Sequence, residues 1–123
     1  MQLAHEARSR GNFIVGYTDR ELRLAGRTLR ASVILTPERV LDWPVTSVAQ
    51  LGEATLAPLI ALQPEVVLLA TGARQQFPPA AVYALAAARG FGLEVMDVGG
   101  ACRTYNVLAG ELRRVALAVI FAP

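Results

Sequence analysis

Apolar and polar residues alternate along the first third of the chain, which is typical of β-strands with one face in water. The alternation is clearest on either side of Ala25-Gly26, where a tight turn would join two runs as a hairpin. Pro37 and Pro44 each end a run, because proline cannot donate a ladder hydrogen bond. The pattern predicts strands over residues 13–17, 21–24, 28–35 and 40–43.

The second half changes to apolar runs separated by segments of helical period. The run from Glu65 to Thr71 is apolar between its ends, which indicates a strand buried on both faces. Pro58, which a helix tolerates in its first turn, predicts that the preceding helix starts near Thr55. The pattern predicts helices over 55–62, 80–89 and 101–109, alternating with strands over 65–71, 93–98 and 115–121. Such alternation forms βαβ units, so the predicted fold is α/β with a mixed central sheet.

Composition limits the classes of function. The chain has 123 residues, 54% of them hydrophobic, and all twelve of its basic residues are arginine. This length suits one domain with a packed core, which we assign to residues 12–123 after a flexible segment at 1–11. A net charge of +2 spread along the chain argues against a nucleic-acid partner.

The cellular compartment is predicted from the absence of membrane-spanning, secretory and disulfide patterns in the sequence. The longest apolar stretch, 115–123, is far shorter than the ~20 residues that span a bilayer, so we expect no membrane span. Residues 1–12 lack the apolar run of a secretory signal, and a single cysteine excludes an intramolecular disulfide framework. We therefore expect a reducing, cytoplasmic compartment.

Two predicted strand ends carry the polar residues that could form a site. Ligands of α/β sheets gather at the carboxyl ends of strands, where glycine allows close approach and a helix start offers N–H groups. Segments 71–76 and 97–104 would meet there if their strands are parallel neighbours. Arg74 and Arg103 could then hold an anion; alternatively, the glycines only cap turns and both arginines are solvated. The candidate ligand or partner residues are Thr71, Gly72, Arg74, Gln76, Asp97, Gly99, Cys102, Arg103, Thr104 and Asn106.

Three residues are candidates for catalysis. Cys102 lies near a predicted helix start, which favours a thiolate, but also beside the apolar stripe, where cysteine is usually a small buried hydrophobic residue. Asp97 ends a strand and is a candidate general base, against a turn-stabilising role. His5, the single histidine, lies near the terminus, which is a poor platform for catalysis. With one cysteine and one histidine, we expect no metal site and no cofactor.

Four segments occur in the order and with the residues of a known family: Leu68–Gly72, Gln76–Pro78, Glu94–Asp97 and, most specifically, Ala101–Leu108 with its Cys-Arg-Thr-Tyr-Asn run. Over about residues 12–121 the chain resembles the Mth938-like family, DUF498. The resemblance implies a single three-layer α/β domain with a mixed central sheet, an additional antiparallel β-layer and flanking helices. The family includes the mitochondrial factor that assists assembly of respiratory complex I and an adipogenesis-associated protein. It brings no established activity for the bacterial members.

The chain also departs from the family pattern. Ala70 stands where the first residue of Gly-Thr-Gly is common, and Val98 stands where threonine is usual. Near the end, Gly110–Arg113 replaces a typical Glu-Gly-Arg. These changes favour a tolerant turn over a strict catalytic pattern.

Two functions are consistent with these observations. The first is a non-enzymatic protein-binding or assembly module, whose partner surface we place around Arg74, Gln75, Phe77, Arg103 and Asn106. The second is an enzyme that binds a small molecule or anion at the edge formed by 71–76 and 97–104, with Asp97 or Cys102 as the reacting group. The wheel of the last helix predicts that Arg103 and Asn106 face outward or into a partner. The sequence leaves the oligomeric state open.

Overall fold

A computed structural model describes residues 11–123, so the predicted flexible segment lies outside the described residues except for Gly11, as does His5. Five consecutive strands are followed by one short 3₁₀ helix, Val48–Gln50, and then by three α-helices that alternate with three further strands. The strands are β1 Ile14–Tyr17, β2 Leu22–Leu24, β3 Arg27–Leu29, β4 Val33–Leu35, β5 Val40–Asp42, β6 Val66–Ala70, β7 Gly92–Met96 and β8 Val115–Val119. The α-helices are α1 Glu53–Ala61, α2 Ala80–Arg89 and α3 Val98–Gly110.

The central sheet has five strands in the order β5-β4-β8-β6-β7. Strands β6, β7 and β8 are parallel, whereas β4 and β5 are antiparallel additions at one side. Along β6, Leu68 and Ala70 enter one core and Val67 and Leu69 enter the other. The continuous apolar run is therefore buried on both faces, and the predicted mixed sheet is confirmed.

Each face of this sheet is covered by a different layer. Helices α1 and α2 bury Leu56, Leu59 and Val82 against one face. Helix α3 and the antiparallel sheet β1-β2-β3 share one core with the other face. The predicted three-layer α/β fold with an additional antiparallel layer is confirmed.

The predicted strand over 28–35 is wrong in one respect, because it is two strands in two sheets. Strand β3 pairs with β2 across the Ala25-Gly26 turn, as the hairpin prediction requires, whereas β4 pairs with β5 and β8. All three residues of β4 are buried, as expected of an interior strand with a core on each face. The alternating pattern does not reveal that the chain changes sheets between Leu29 and Val33.

Two helices start earlier than predicted. Helix α1 starts at Glu53, where the Thr55 hydroxyl accepts a hydrogen bond from the Gly52 N–H at 2.9 Å. Pro58 thus lies beyond the first turn, and the carbonyl it leaves unpaired belongs to exposed Ala54, where water can reach it. Helix α3 starts at Val98, three residues before the predicted Ala101. Helix α2 has the predicted bounds and ends on Gly90 at a φ of 81°.

Candidate functional site

The segments after β6 and β7 lie side by side at one edge of the central sheet. The Thr71 N–H donates to the Met96 carbonyl at 3.0 Å, and the Val98 N–H donates to the Gly72 carbonyl at 2.8 Å. The two loops meet because their strands are parallel neighbours in register. Segments 71–76 and 97–104 therefore share one edge of the sheet, as the sequence predicts for parallel neighbouring strands.

The first loop is held by its own polar side chains. The Thr71 hydroxyl donates to the Arg74 carbonyl at 2.8 Å and accepts from the Gln76 N–H at 2.9 Å. The Gln76 amide returns a hydrogen bond to the Thr71 carbonyl at 3.3 Å. Gly72 turns the chain with a φ of 87°, a conformation that favours glycine. Thr71 and Gln76 thus maintain the turn, and exposed Arg74 is the loop's charged group.

The second loop is the first turn of α3. Asp97 is its N-cap, and its carboxylate accepts a hydrogen bond from the Gly100 N–H at 2.7 Å. This is the turn-stabilising role that the sequence offered as the alternative to a general base. A β-carbon on Gly99 would lie 2.7 Å from the Tyr17 hydroxyl oxygen, so this glycine allows β1 to approach the helix closely.

Cys102 faces the interior rather than the edge, and Thr104 is half-buried beside Met96. The Cys102 thiol is buried, and burial raises its pKa to about 12 although the neighbouring Arg103 guanidinium opposes the shift. The Thr104 hydroxyl lies 3.6 Å from the Met96 sulfur. A thiol with so high a pKa is almost wholly protonated at neutral pH, which does not suit a nucleophile.

Arg103 and Asn106 extend from α3 towards β1. An Arg103 nitrogen lies 3.3 Å from the Tyr17 hydroxyl, and the Arg103 side chain is exposed. The Asn106 amide accepts from the Ile14 N–H at 3.0 Å and donates to the Ile14 carbonyl at 2.8 Å. The prediction that Asn106 faces outward or into a partner is wrong, because its amide binds the backbone of β1 in place of a neighbouring strand.

Replacing Asn106 with leucine should lower the free energy of unfolding by about 2 kcal/mol, because both backbone groups of Ile14 lose their partner. Asn106→Asp should also destabilise the fold, since the carboxylate keeps an acceptor but faces the Ile14 carbonyl without a donor. Urea unfolding followed by circular dichroism measures both effects. If Asn106→Leu matched the parent protein, the pairing of Asn106 with β1 would contribute nothing to stability.

A cavity of about 580 Å³ opens beside the first loop. Thr71, Gly72 and Gln76 line it, whereas Arg74 and Arg103 are not among its lining residues. Its other polar walls were missed by sequence reasoning, since they come from distant turns and no local motif marks them: Asp19, Arg20, Arg30, Thr46 and Ser47. Arg30 is also paired with Glu21 at 3.4 Å, so the cavity presents mixed charge rather than a concentrated anion site.

Residues 11–123 contain no group of three or more histidine, cysteine, aspartate or glutamate side chains that could hold a metal ion. Within the same range, none of the helices has the length and apolar character needed to cross a membrane.

The mixed sheet, the antiparallel layer and the paired loops define a small α/β domain of the Mth938-like class. The chain belongs to the family of proteins of unknown function DUF498/DUF598, whose family profile matches residues 14–120. The resemblance found in the sequence is thus confirmed.

Solved structures share this fold. An NMR structure of a Xanthomonas campestris protein superposes with a TM-score of 0.82 at 46% identity, covering 87% of this chain and 82% of that one. A Bordetella pertussis protein described as an Mth938-like domain gives a TM-score of 0.77 at 27% identity, covering 93% of this chain and 86% of that one.

Among curated relatives, the NADH dehydrogenase [ubiquinone] 1 alpha subcomplex assembly factor 3 of Danio rerio is 34% identical over 117 residues. The alignment covers 94% of this chain and 67% of the zebrafish protein, and the corresponding human assembly factor is covered over 61% of its length. The 13 kDa major membrane protein of Francisella tularensis is 30% identical over 90 residues, which cover 72% of this chain and 73% of that protein.

Proposed function

We propose that this chain is a non-enzymatic protein-binding module that assists the assembly of a protein complex. Its likeness to curated assembly factors, at 34% identity over 94% of the chain for the zebrafish protein, supports this role. The cytoplasm is the compartment we propose for it, as suits a single buried, free cysteine.

The partner surface is centred on the first loop, and exposed Phe77 is the observation that carries this assignment. Its side chain is 67% exposed, although a large aromatic residue normally buries its apolar surface. Arg74 lies three residues before it and is also exposed. Aromatic residues and arginine are enriched at the centre of protein interfaces. The matching partner offers an apolar pocket beside an acidic group.

The loop is also held firmly enough to present these side chains. The Gln75 amide donates to the Val95 carbonyl at 2.7 Å. The neighbouring Met96 carbonyl faces β6, because it accepts from the Thr71 N–H, so the Val95 carbonyl lies on the opposite, outer side of β7. Arg103 remains part of the proposed surface, whereas Asn106 is removed from it because β1 occupies its amide.

The enzyme alternative receives little support from the same geometry. Its two proposed reacting groups are occupied or inaccessible, since Asp97 caps α3 and the Cys102 thiol is buried. Binding of a small anion between Arg74 and Arg103 is the result that would support the enzyme alternative.

Replacing Phe77 with serine should reduce capture of the partner from the native host at least tenfold, because truncating a buried interface anchor costs about 2 kcal/mol or more. The melting temperature should stay unchanged, since Phe77 is exposed in the free chain. Val15→Ser is the matched control, because Val15 is a similarly exposed apolar residue at 68% on β1. Quantitative mass spectrometry of proteins retained by each variant measures the effect.

Three results would contradict this proposal. The first is retention of the same proteins by Phe77→Ser as by the parent chain. The second is an equal loss with Val15→Ser, which would indicate non-specific adhesion. The third is stabilisation by phosphate or a small carboxylate that Arg74→Gln abolishes, with no protein retained.

A further inference from the structure

A second cavity lies at the opposite end of the central sheet, away from the two loops. It measures about 620 Å³ and is formed where α1 and α3 end and where β4 turns into β5. Its apolar walls include Phe13, Leu62, Leu112 and Val115. Ligand pockets in proteins have this size and this predominantly apolar lining, with a few polar groups that orient the ligand.

The charges around this cavity are mainly positive. Arg39, Arg113 and Arg114 line it, and Glu38 is the acidic residue among its described lining residues. Arg113 already binds Glu65 at 3.3 Å, and the Arg114 guanidinium donates to the Gln63 carbonyl at 3.2 Å. Within residues 11–123 the hydrogen bonds of Arg39 are made by its backbone, whereas the guanidinium groups of Arg113 and Arg114 are engaged, so Arg39 is the group that we assign to an anionic head.

Near the mouth of this cavity, two non-glycine residues adopt a backbone conformation that only glycine adopts without strain. Both helices that end here are followed by a non-glycine residue in the left-handed region, Gln63 at a φ of 51° and Leu112 at 61°. Glycine is the usual residue at this position because a side chain there is costly. Leu112 instead places a side chain that is 57% exposed at the rim of the cavity. Strain of this kind concentrates at ligand sites.

We propose that this cavity binds an amphipathic monoanion, a single apolar chain that ends in a carboxylate, with the chain against Leu62, Leu112 and Val115 and the carboxylate at Arg39. The apolar walls disfavour a fully hydrated ion such as phosphate, and the arginines favour an anion over a neutral or cationic head. This site is independent of the partner surface proposed above, since the two lie at opposite ends of the sheet.

Titration of the whole chain with decanoate, below its micellar concentration, tests the proposal by calorimetry and by the shift in melting temperature. Decanoate should bind and raise the melting temperature, whereas decanol and decylammonium should bind at least tenfold more weakly. Arg39→Gln should weaken decanoate binding about tenfold, the value of one hydrogen bond to a charged group. Arg74→Gln, the same charge change at the other end of the sheet, should leave it unchanged.

Leu112→Gly separates a binding role from a structural one. It removes the strained side chain, so the melting temperature of the free protein should stay the same or rise, while decanoate affinity should fall several-fold. A merely structural leucine would give no loss of affinity. The proposal is overturned if decanoate does not bind at millimolar concentration, if decylammonium binds better, or if Arg74→Gln weakens binding and Arg39→Gln does not. Binding to anionic phospholipid vesicles without binding to monomeric decanoate would also overturn it, in favour of a membrane surface.

Discussion

Replacing Tyr105 with alanine should lower the free energy of unfolding by about 3–5 kcal/mol, the range for deleting a large buried aromatic ring. Tyr105 is the largest fully buried side chain of the described residues, and it lies in the core shared by α3, the antiparallel sheet and the central sheet. Its hydroxyl donates to the Asn12 carbonyl at 2.6 Å. Burial raises the pKa of this phenol, so it stays a hydrogen-bond donor well into the alkaline range.

Tyr105→Phe separates the ring from the hydroxyl. It keeps the packing and removes one hydrogen bond, so we expect a loss of only about 1 kcal/mol. Urea unfolding of the two variants and the parent chain measures both values. Equal losses in the two variants would mean that the bond to Asn12, rather than the packing of the ring, carries the stability.

Cys102 should react with a disulfide reagent at least about thirtyfold more slowly in the native chain than in the unfolded chain at the same pH. Burial raises its pKa from 9.0 to about 12, which lowers the thiolate fraction about a thousandfold, and the greater nucleophilicity of the more basic thiolate offsets about half of that loss on a logarithmic scale. The pKa is raised rather than lowered because burial penalises the charged thiolate and favours the neutral thiol. Absorbance of the released thiolate, with and without concentrated urea, gives the two rates.

An exposed thiol on the same chain provides the control for this measurement. Ala87 is exposed on α2, so Ala87→Cys in a Cys102→Ala background should react at nearly the same rate with and without urea. A native Cys102 that reacted as fast as this control would restore the nucleophile hypothesis. Slow reaction would remove the reacting thiol from any catalytic scheme at this edge.

The fold was largely predictable because its strands differ in how they are buried. The apolar interior of β6 marks a strand between two cores, and the Ala25-Gly26 turn marks the hairpin β2-β3. The division of 28–35 into two strands was not predictable, since Leu29 and Val33 are both buried apolar residues and their pattern does not indicate which sheet each joins.

The site was less predictable than the fold, because polar side chains have several structural uses. Asp97 and Asn106 have the chemistry of ligands, but the structure uses both to satisfy backbone groups, one at a helix start and one along a strand. Asp97 binds Gly100, three positions further along the chain, whereas Asn106 binds Ile14, 92 positions away. Local sequence patterns can therefore predict the first contact but not the second. Arg20 and Arg30, which line the cavity beside the first loop, could not be predicted either, because they lie far from that loop in the sequence.

Asn106 and Gln75 share a consequence for how the molecule behaves among other chains. Each amide binds the backbone of the outermost strand of a sheet, Asn106 on β1 and Gln75 on β7. An unprotected strand edge recruits extended segments from any unfolded protein nearby and promotes aggregation. Each amide thus occupies backbone groups that an incoming extended segment would need, and hinders edge-to-edge pairing at Ile14 of β1 and at Val95 of β7.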